Sequence, residues 1–247
     1  MKGRILPAFA IILFASGCQI NLGIGGTPGS GVSGTEDREI GEFTKIALSG
    51  AGKLVVTCGQ DASLSVTTDD NLLPLLETKV KGDTLHIRST ESISATITPT
   101  YQITTSTLEG IGIGGSGDVE VVDLASDRFD VSIGGSGKVR ANGSVENLDV
   151  SVAGSGRIEM RELQAQRATI SISGSSRATV NAQESLDVSI VGSGRIDYVG
   201  DPKVKKQVVG SGRISQLEGG ADTETVSATE EPDSDDERTA EEDEEED

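Results

Sequence analysis

A three-residue motif, Gly-Ser-Gly, recurs at an almost constant interval along the second half of this chain. Five intact copies and one Gly-Ser-Ser copy start 20, 19, 20, 18 and 18 residues apart, at Gly115, Gly135, Gly154, Gly174, Gly192 and Gly210. A constant period of this length indicates one supersecondary unit that stacks on copies of itself. The repeat therefore constrains the fold strongly, although a stacked scaffold alone says little about function.

The residues before each motif alternate between apolar and polar side chains. Segment 148–152 reads Leu-Asp-Val-Ser-Val, and segments 129–133, 168–172 and 186–190 follow the same pattern. Such alternation predicts a strand with one buried face. A meander of antiparallel hairpins is the alternative, but it does not explain why the same side-chain types recur in every unit. We therefore predict an all-β, single-domain, right-handed β-solenoid with about 18–20 residues per coil over residues 36–220.

The motif itself predicts a corner of each coil. Glycine tolerates positive φ and allows close approach of backbones from coils stacked about 4.8 Å apart. The central residues would then form a hydroxyl ladder of Ser116, Ser136, Ser155, Ser175, Ser193 and Ser211. Because aromatic residues make up only 2% of the chain and Trp is absent, we expect a thin core of Val, Ile and Leu.

The segment before the first motif lacks the intact triplet but keeps the strand pattern, and Gly-Ala-Gly-Lys-Leu at 50–54 is a weak copy of the motif with its cation and apolar residue. We predict strands at 43–49, 53–58, 62–68, 84–88, 93–97 and 101–106. Residues 70–77 predict a turn followed by a short helical segment. Cys58 ends an apolar strand, which favours a buried thiol over a reactive one.

The N-terminus predicts export and lipid anchoring. Residues 1–17 combine Lys2 and Arg4 with an apolar run at 5–14 that is too short to span a bilayer as a helix. The sequence Ala-Ser-Gly-Cys at 15–18 resembles a bacterial lipoprotein cleavage box, which implies cleavage before Cys18 and lipidation of that residue. Gln19 in place of Asp favours the cell outer membrane; an ordinary secretory signal is the alternative. Residues 18–35 are Gly-rich and predict a flexible tether.

The C-terminus carries most of the charge. Residues 222–247 contain 15 acidic residues and one Arg, so we predict a disordered acidic tail over 221–247. The rest of the chain is only mildly acidic, which argues against nucleic-acid binding.

One column of the aligned repeat carries cations. The residue after the motif is Asp118 in the first copy and then Lys138, Arg157, Arg177, Arg195 and Arg213. Stacked cations repel one another unless they are neutralised. Surface carboxylates and solvent would neutralise them in one interpretation. In the other they form an anion-binding strip for acidic polysaccharide, lipid headgroups or the acidic tail.

No catalytic, metal or cofactor site emerges from the sequence. An active site is a local exception to a repeat, whereas Asp130, Asp149 and Asp187 recur in one column. The segment 114–119 resembles a calcium-binding nonapeptide, but later copies place Lys or Arg where a calcium ligand would be needed. The only histidine, His86, lies in a predicted surface strand. We therefore predict that the protein is not an enzyme.

The layout as a whole resembles a known family, the putative auto-transporter adhesins with a head GIN domain. The resemblance rests on segments 41–46, 69–73, 82–87 and 108–119 and covers residues 38–218. It implies an exported β-helical domain, for which we predict a structural or adhesive binding role. An envelope scaffold that binds peptidoglycan, other envelope proteins or itself is the alternative. A glycan-acting enzyme would need one coil that breaks the columns with clustered carboxylates.

Overall fold

The computed structural model describes residues 26–217, which fold into seventeen β-strands and one short 3-10 helix. The predicted signal peptide, the Cys18 anchor and the acidic tail lie outside the described residues. The strands are β1 Thr27–Pro28, β2 Ser33–Asp37, β3 Lys45–Gly50, β4 Lys53–Cys58, β5 Ser63–Asp69, β6 Leu76–Lys81, β7 Thr84–Ser89, β8 Ile93–Ser94, β9 Thr100–Thr105, β10 Gly110–Gly115, β11 Asp118–Gly135, β12 Lys138–Gly154, β13 Arg157–Gly174, β14 Arg177–Gly192, β15 Arg195–Val199, β16 Lys203–Gly210 and β17 Arg213–Gln216. A 3-10 helix at Leu73–Leu75 follows the turn, as predicted. Among the described residues, no helix has the length and apolarity needed to cross a bilayer.

The repeats stack as the predicted β-solenoid. Strands β11 to β14 contain 16 to 18 residues each and pair in parallel with the strand one repeat away. Each runs from one motif to the first glycine of the next. Each continues through a register shift midway; in β11 this shift lies between Val121 and Leu124, where Asp123 has a φ of 58°.

The motif forms the other corner of the coil. The first glycine of each copy has positive φ, for example 136° at Gly135, and a Cβ there would collide with the carbonyl oxygen of Gly115. The central N–H of each motif donates to the first glycine of the preceding copy, as Ser136 does to Gly115 at 2.9 Å. In the one degenerate copy, the Ser176 side chain is buried and its hydroxyl donates to the Gly154 carbonyl at 3.0 Å.

Apolar side chains fill the interior in vertical columns, and Val, Ile and Leu dominate as expected. One such column consists of Phe129, Leu148, Ala168 and Leu186, all at most 2% exposed. The columns continue in register into β16 of the last coil. All eight residues of β16 are nevertheless exposed. There Lys206 takes the place that Val188 holds in the preceding coil. A charged residue at an interior position of an edge strand discourages pairing with another chain.

The first coils do not stack in chain order. Strand β3 lies between β7 and β10, and β4 lies between β9 and β11, so the coil formed by β7 and β9 is the outermost one. Antiparallel strands then extend the sheet at this end: β6 pairs with β7, β5 with β9, and β2 with β5.

The predicted flexible tether is wrong for residues 26–35. Strand β1 pairs with β8, and β2 pairs with β5. The buried Asp69 carboxylate accepts the Gly31 N–H at 2.7 Å. The glycines in this segment serve close packing, since a Cβ at Gly29 would collide with the Asp69 carboxylate. A Gly-rich composition therefore does not by itself predict flexibility.

Candidate anion-binding strip

The structure brings the five predicted cations into one column on the outside of the solenoid. Their Cα partners run in register from each strand to the next, and the column continues through Asp118 to Lys53 at its other end. The members are Lys53, Asp118, Lys138, Arg157, Arg177, Arg195 and Arg213. Strand alternation forces this arrangement because the next residue of every strand enters the core.

The beginning of the column is neutralised by carboxylates. Lys138 Nζ lies 2.9 Å from Glu159 Oε2, and Arg140 contacts both Glu159 at 2.9 Å and Asp118 at 3.7 Å. Burial alone would raise the pKa of Glu159, but hydrogen bonds from Lys138 and Arg140 outweigh it and lower the pKa below its ordinary value. The hydrogen bond to Glu159 raises the pKa of Arg140 in turn. The charge of Lys138 is therefore neutralised by a surface carboxylate, as the first of the two interpretations predicts.

The four arginines of the column, which we call the arginine strip, are different. Within residues 26–217, the structure shows no ion pair for Arg157, Arg177, Arg195 or Arg213. Arg157, Arg177 and Arg213 are exposed and Arg195 is half-buried. The residues beside them, two positions further along each strand, are Glu159, Thr179, Asp197 and Ser215, of which Glu159 is already bound to Lys138 and Arg140.

Other arginines on the solenoid surface show that pairing is the rule elsewhere. Arg128 contacts Asp130 at 2.7 Å and Asp149 at 3.3 Å. Arg167 lies 3.3 Å from Glu184 and 3.8 Å from Glu146. The arginine strip therefore stands out by its lack of carboxylate partners as well as by its alignment.

The geometry of the strip suits an extended anion. Successive strands lie about 4.8 Å apart, so the four side chains span roughly 14 Å along the solenoid axis. Each guanidinium presents a planar fork of donors that matches sulfate, phosphate or carboxylate oxygens. An anionic polymer laid along the axis would contact all four and relieve their mutual repulsion.

The other candidates from the sequence are structural. His86 lies in β7 between Ala47 of β3 and Lys79 of β6. Cys58 is free and buried, as expected. Burial, followed by the charge of Asp123, raises the pKa of the Cys58 thiol to about 11.

Sequence reasoning missed two features of this surface. The Glu159 contacts with Lys138 and Arg140 could have been anticipated, since the glutamate lies two positions after Arg157 on the same face. Lys53, in contrast, follows the weak copy of the motif at 50–53, so its place in the column agrees with the sequence. No sequence signal indicated that β7 and β9 form the outermost coil.

Known proteins share this architecture and part of the sequence. Residues 42–202 match the family model described as putative auto-transporter adhesin, head GIN domain. The chain belongs to this family. A crystal structure of a putative adhesin from Bacteroides fragilis is 26% identical with a TM-score of 0.61, and the match covers 78% of this chain and 100% of that one. No curated protein sequence matches the chain.

Two structures from Parabacteroides distasonis are also similar. One, described as a putative lipid binding protein, is 26% identical with a TM-score of 0.52 over 77% of this chain and 98% of that one. The other, a putative adhesin, is 20% identical with a TM-score of 0.50 over 77% and 99%, and its likeness shows the fold alone. The family and these neighbours are described as adhesins or lipid-binding proteins and not as enzymes, which indicates an exported or cell-surface protein.

Proposed function

We propose that this protein is a non-catalytic, lipid-anchored binding module of the cell envelope that holds an anionic polysaccharide along the arginine strip. The unpaired alignment of Arg157, Arg177, Arg195 and Arg213 carries the proposal. Membership of an adhesin family supports a binding role. Lipidation of Cys18 would anchor the domain in the outer membrane, and several acyl chains on one residue anchor stably where a single chain does not.

Polymer binding follows from the repeated geometry. A small anion meets one or two guanidinium groups and competes with water, whereas a polyanion engages neighbouring groups once the first contact is made. The second and later contacts are then effectively intramolecular. We therefore expect selectivity for charged polymers over monovalent anions of the same chemistry.

The test compares dextran sulfate with uncharged dextran by isothermal titration calorimetry. The purified protein should bind only the sulfated polymer, and a strip variant carrying Arg157→Ser, Arg177→Ser and Arg195→Ser should lose at least tenfold in affinity. The matched control carries Arg128→Ser, Arg140→Ser and Arg167→Ser, which removes the same charge from arginines that are already ion-paired. Equal losses in both variants would show that net charge alone drives binding and would refute the strip.

Exposure separates the adhesin from the alternative, an envelope scaffold. Protease treatment of intact cells should degrade a surface adhesin and spare a scaffold that faces the periplasm. Replacement of Cys18 by Ala should move the protein from the membrane fraction to the soluble fraction. A Cys18→Ala protein that stays with the membrane would contradict lipid anchoring.

A further inference from the structure

The glycine corner that repeats along the solenoid is missing from the outermost coil. In later coils, a Cβ on the first motif glycine would collide with the corresponding glycine of the coil before, as Gly115 would with Gly50. Gly50 also has a positive φ, 113°, but a Cβ added there meets nothing within 4 Å. The space that a preceding corner would fill is therefore empty beneath Gly50.

An insertion in the outermost coil explains the gap. Ser49 pairs with Arg88, and Lys53 pairs with Thr100. Three residues connect Ser49 to Lys53, whereas eleven connect Arg88 to Thr100. The corner column resumes only at Pro99, whose carbonyl accepts the Lys53 N–H at 2.8 Å.

The insertion is held away from the corner by contacts of its own. Within it, β8 pairs with β1. The buried Asp69 carboxylate accepts the N–H groups of Thr96 at 2.9 Å and Ile97 at 3.0 Å. These contacts fix the loop, so the gap belongs to the folded structure.

The gap is a partly enclosed cavity of about 390 Å³. Its apolar wall includes Leu48, Leu76, Ile93, Pro99 and Tyr101. Both the size and the mostly apolar wall are typical of small-ligand sites, which range over about 300–1,000 Å³. The volume lies near the lower end of that range, so a single medium-length chain suits it better than a two-chain lipid.

Two hydrogen-bond donors of the cavity wall have no partner within residues 26–217. Tyr101 is 2% exposed, yet the structure shows no hydrogen bond for its hydroxyl. Ala51 is the central residue of the weak motif copy. In the next copy, the Ser116 N–H donates to the Gly50 carbonyl, whereas the Ala51 N–H has no corresponding glycine carbonyl to which it could donate. Ala51 is exposed and the Tyr101 hydroxyl keeps contact with solvent, so both donors are accessible to an acceptor atom of a ligand in the cavity.

Arg88 is the only cation among the described residues that line the cavity, and it is paired. Arg88 is bound to Glu77 at 2.5 Å, and Glu91 is exposed. With Arg88 already paired, the site offers neutral donors rather than a free cation. An uncharged acceptor such as a carbonyl oxygen therefore fits better than an ion.

We propose that this cavity, which we call the corner cavity, binds a medium-length acyl chain whose carbonyl oxygen accepts hydrogen bonds from Tyr101 and Ala51. The acyl group could belong to a neutral ester or to a free fatty acid. The site lies apart from the arginine strip and goes beyond the polysaccharide binding proposed above.

Calorimetry with three ten-carbon probes tests the corner cavity. Decanoyl glycerol should bind with one-to-one stoichiometry, and decanoate should bind if the free acid is also a ligand. Decylamine, with the same chain and no acceptor in its ammonium head, should bind at least tenfold more weakly than decanoyl glycerol. Absence of binding by both acyl probes, or equal binding by decylamine, would overturn the proposal.

Variants assign the binding to this cavity. Tyr101→Phe should lower the affinity for decanoyl glycerol by about three- to tenfold, which corresponds to the loss of one hydrogen bond. It should leave Tm unchanged, because the hydroxyl has no protein partner to lose. Ala95→Trp places a bulky ring at the exposed edge of the wall and should abolish binding, whereas Ala153→Trp, on an exposed face of β12, should not. Undiminished binding by Ala95→Trp, or a lower Tm for Tyr101→Phe, would refute the site.

Discussion

Two glycines that occupy the same corner column should respond differently to alanine. Gly50 and Gly135 both have positive φ, 113° and 136°. A Cβ at Gly135 collides with the Gly115 carbonyl oxygen, whereas a Cβ at Gly50 enters open space. Because backbone cannot rotate away as a side chain can, only Gly135→Ala should suffer overpacking in addition to conformational strain.

The magnitudes follow from these two contributions. Strain at positive φ costs about 1–3 kcal/mol for a residue with a side chain. Overpacking adds about 1–3 kcal/mol. Gly135→Ala should therefore lower the free energy of unfolding by about 2–6 kcal/mol, and Gly50→Ala by about 1–3 kcal/mol.

Urea denaturation followed by far-UV circular dichroism measures both changes. Gly134→Ala is the control, since its φ is not positive, its Cβ would lie 3.9 Å from the nearest atom, and Ala153 and Ser173 occupy the same column. It should change stability by less than about 1 kcal/mol. Equal costs at Gly50 and Gly135 would refute the claim that the corner column ends above an empty space.

Three further predictions concern the interior. Cys58 should react with a thiol reagent near neutral pH only after unfolding, because burial raises the pKa of its thiol to about 11. For the same reason, the free energy of unfolding should fall as the pH rises above 9.0. Rapid labelling of the native protein would contradict the burial of Cys58. Burial alone would raise the pKa of Asp69, but three backbone N–H groups lower it below 3.8; stability should therefore fall as pH drops below that value, and Asp69→Asn should flatten this dependence in acid titrations. Phe129→Ala should lower the free energy of unfolding by about 3–5 kcal/mol in urea, and a loss under 1 kcal/mol would argue against its full burial.

The repetitive part of the fold could be predicted because the residues of each repeat determine its own strands and corner. Alternation in 148–152 fixes which side chains enter the core, and the following glycine fixes the corner. Register between units then follows from matching columns, as the pairing of Val150 with Ile170 shows. The column from Lys138 to Arg213 was predictable for the same reason.

The first coils were not predictable because long-range pairing decides them. Nothing local indicates that β3 inserts between β7 and β10, or that the insertion after Ser89 opens a cavity. The ordered packing around Gly29 was not predictable, because glycine permits both flexibility and close packing and only the distant Asp69 distinguishes them. The unpaired state of the arginine strip likewise depends on side-chain contacts, since Glu159 binds Lys138 and Arg140 and not Arg157.

The salt dependence of dextran sulfate binding tests the central claim most directly. If the strip holds the polymer, the affinity should fall linearly on a log–log plot of dissociation constant against NaCl concentration. Each cation removed from the contact should reduce the slope by about 0.7–0.9. The account predicts that the strip variant loses about 2–3 from the slope, the sum over three arginines, while the Arg128, Arg140 and Arg167 variant keeps the slope of the unmodified protein. An unchanged slope in the strip variant would contradict it.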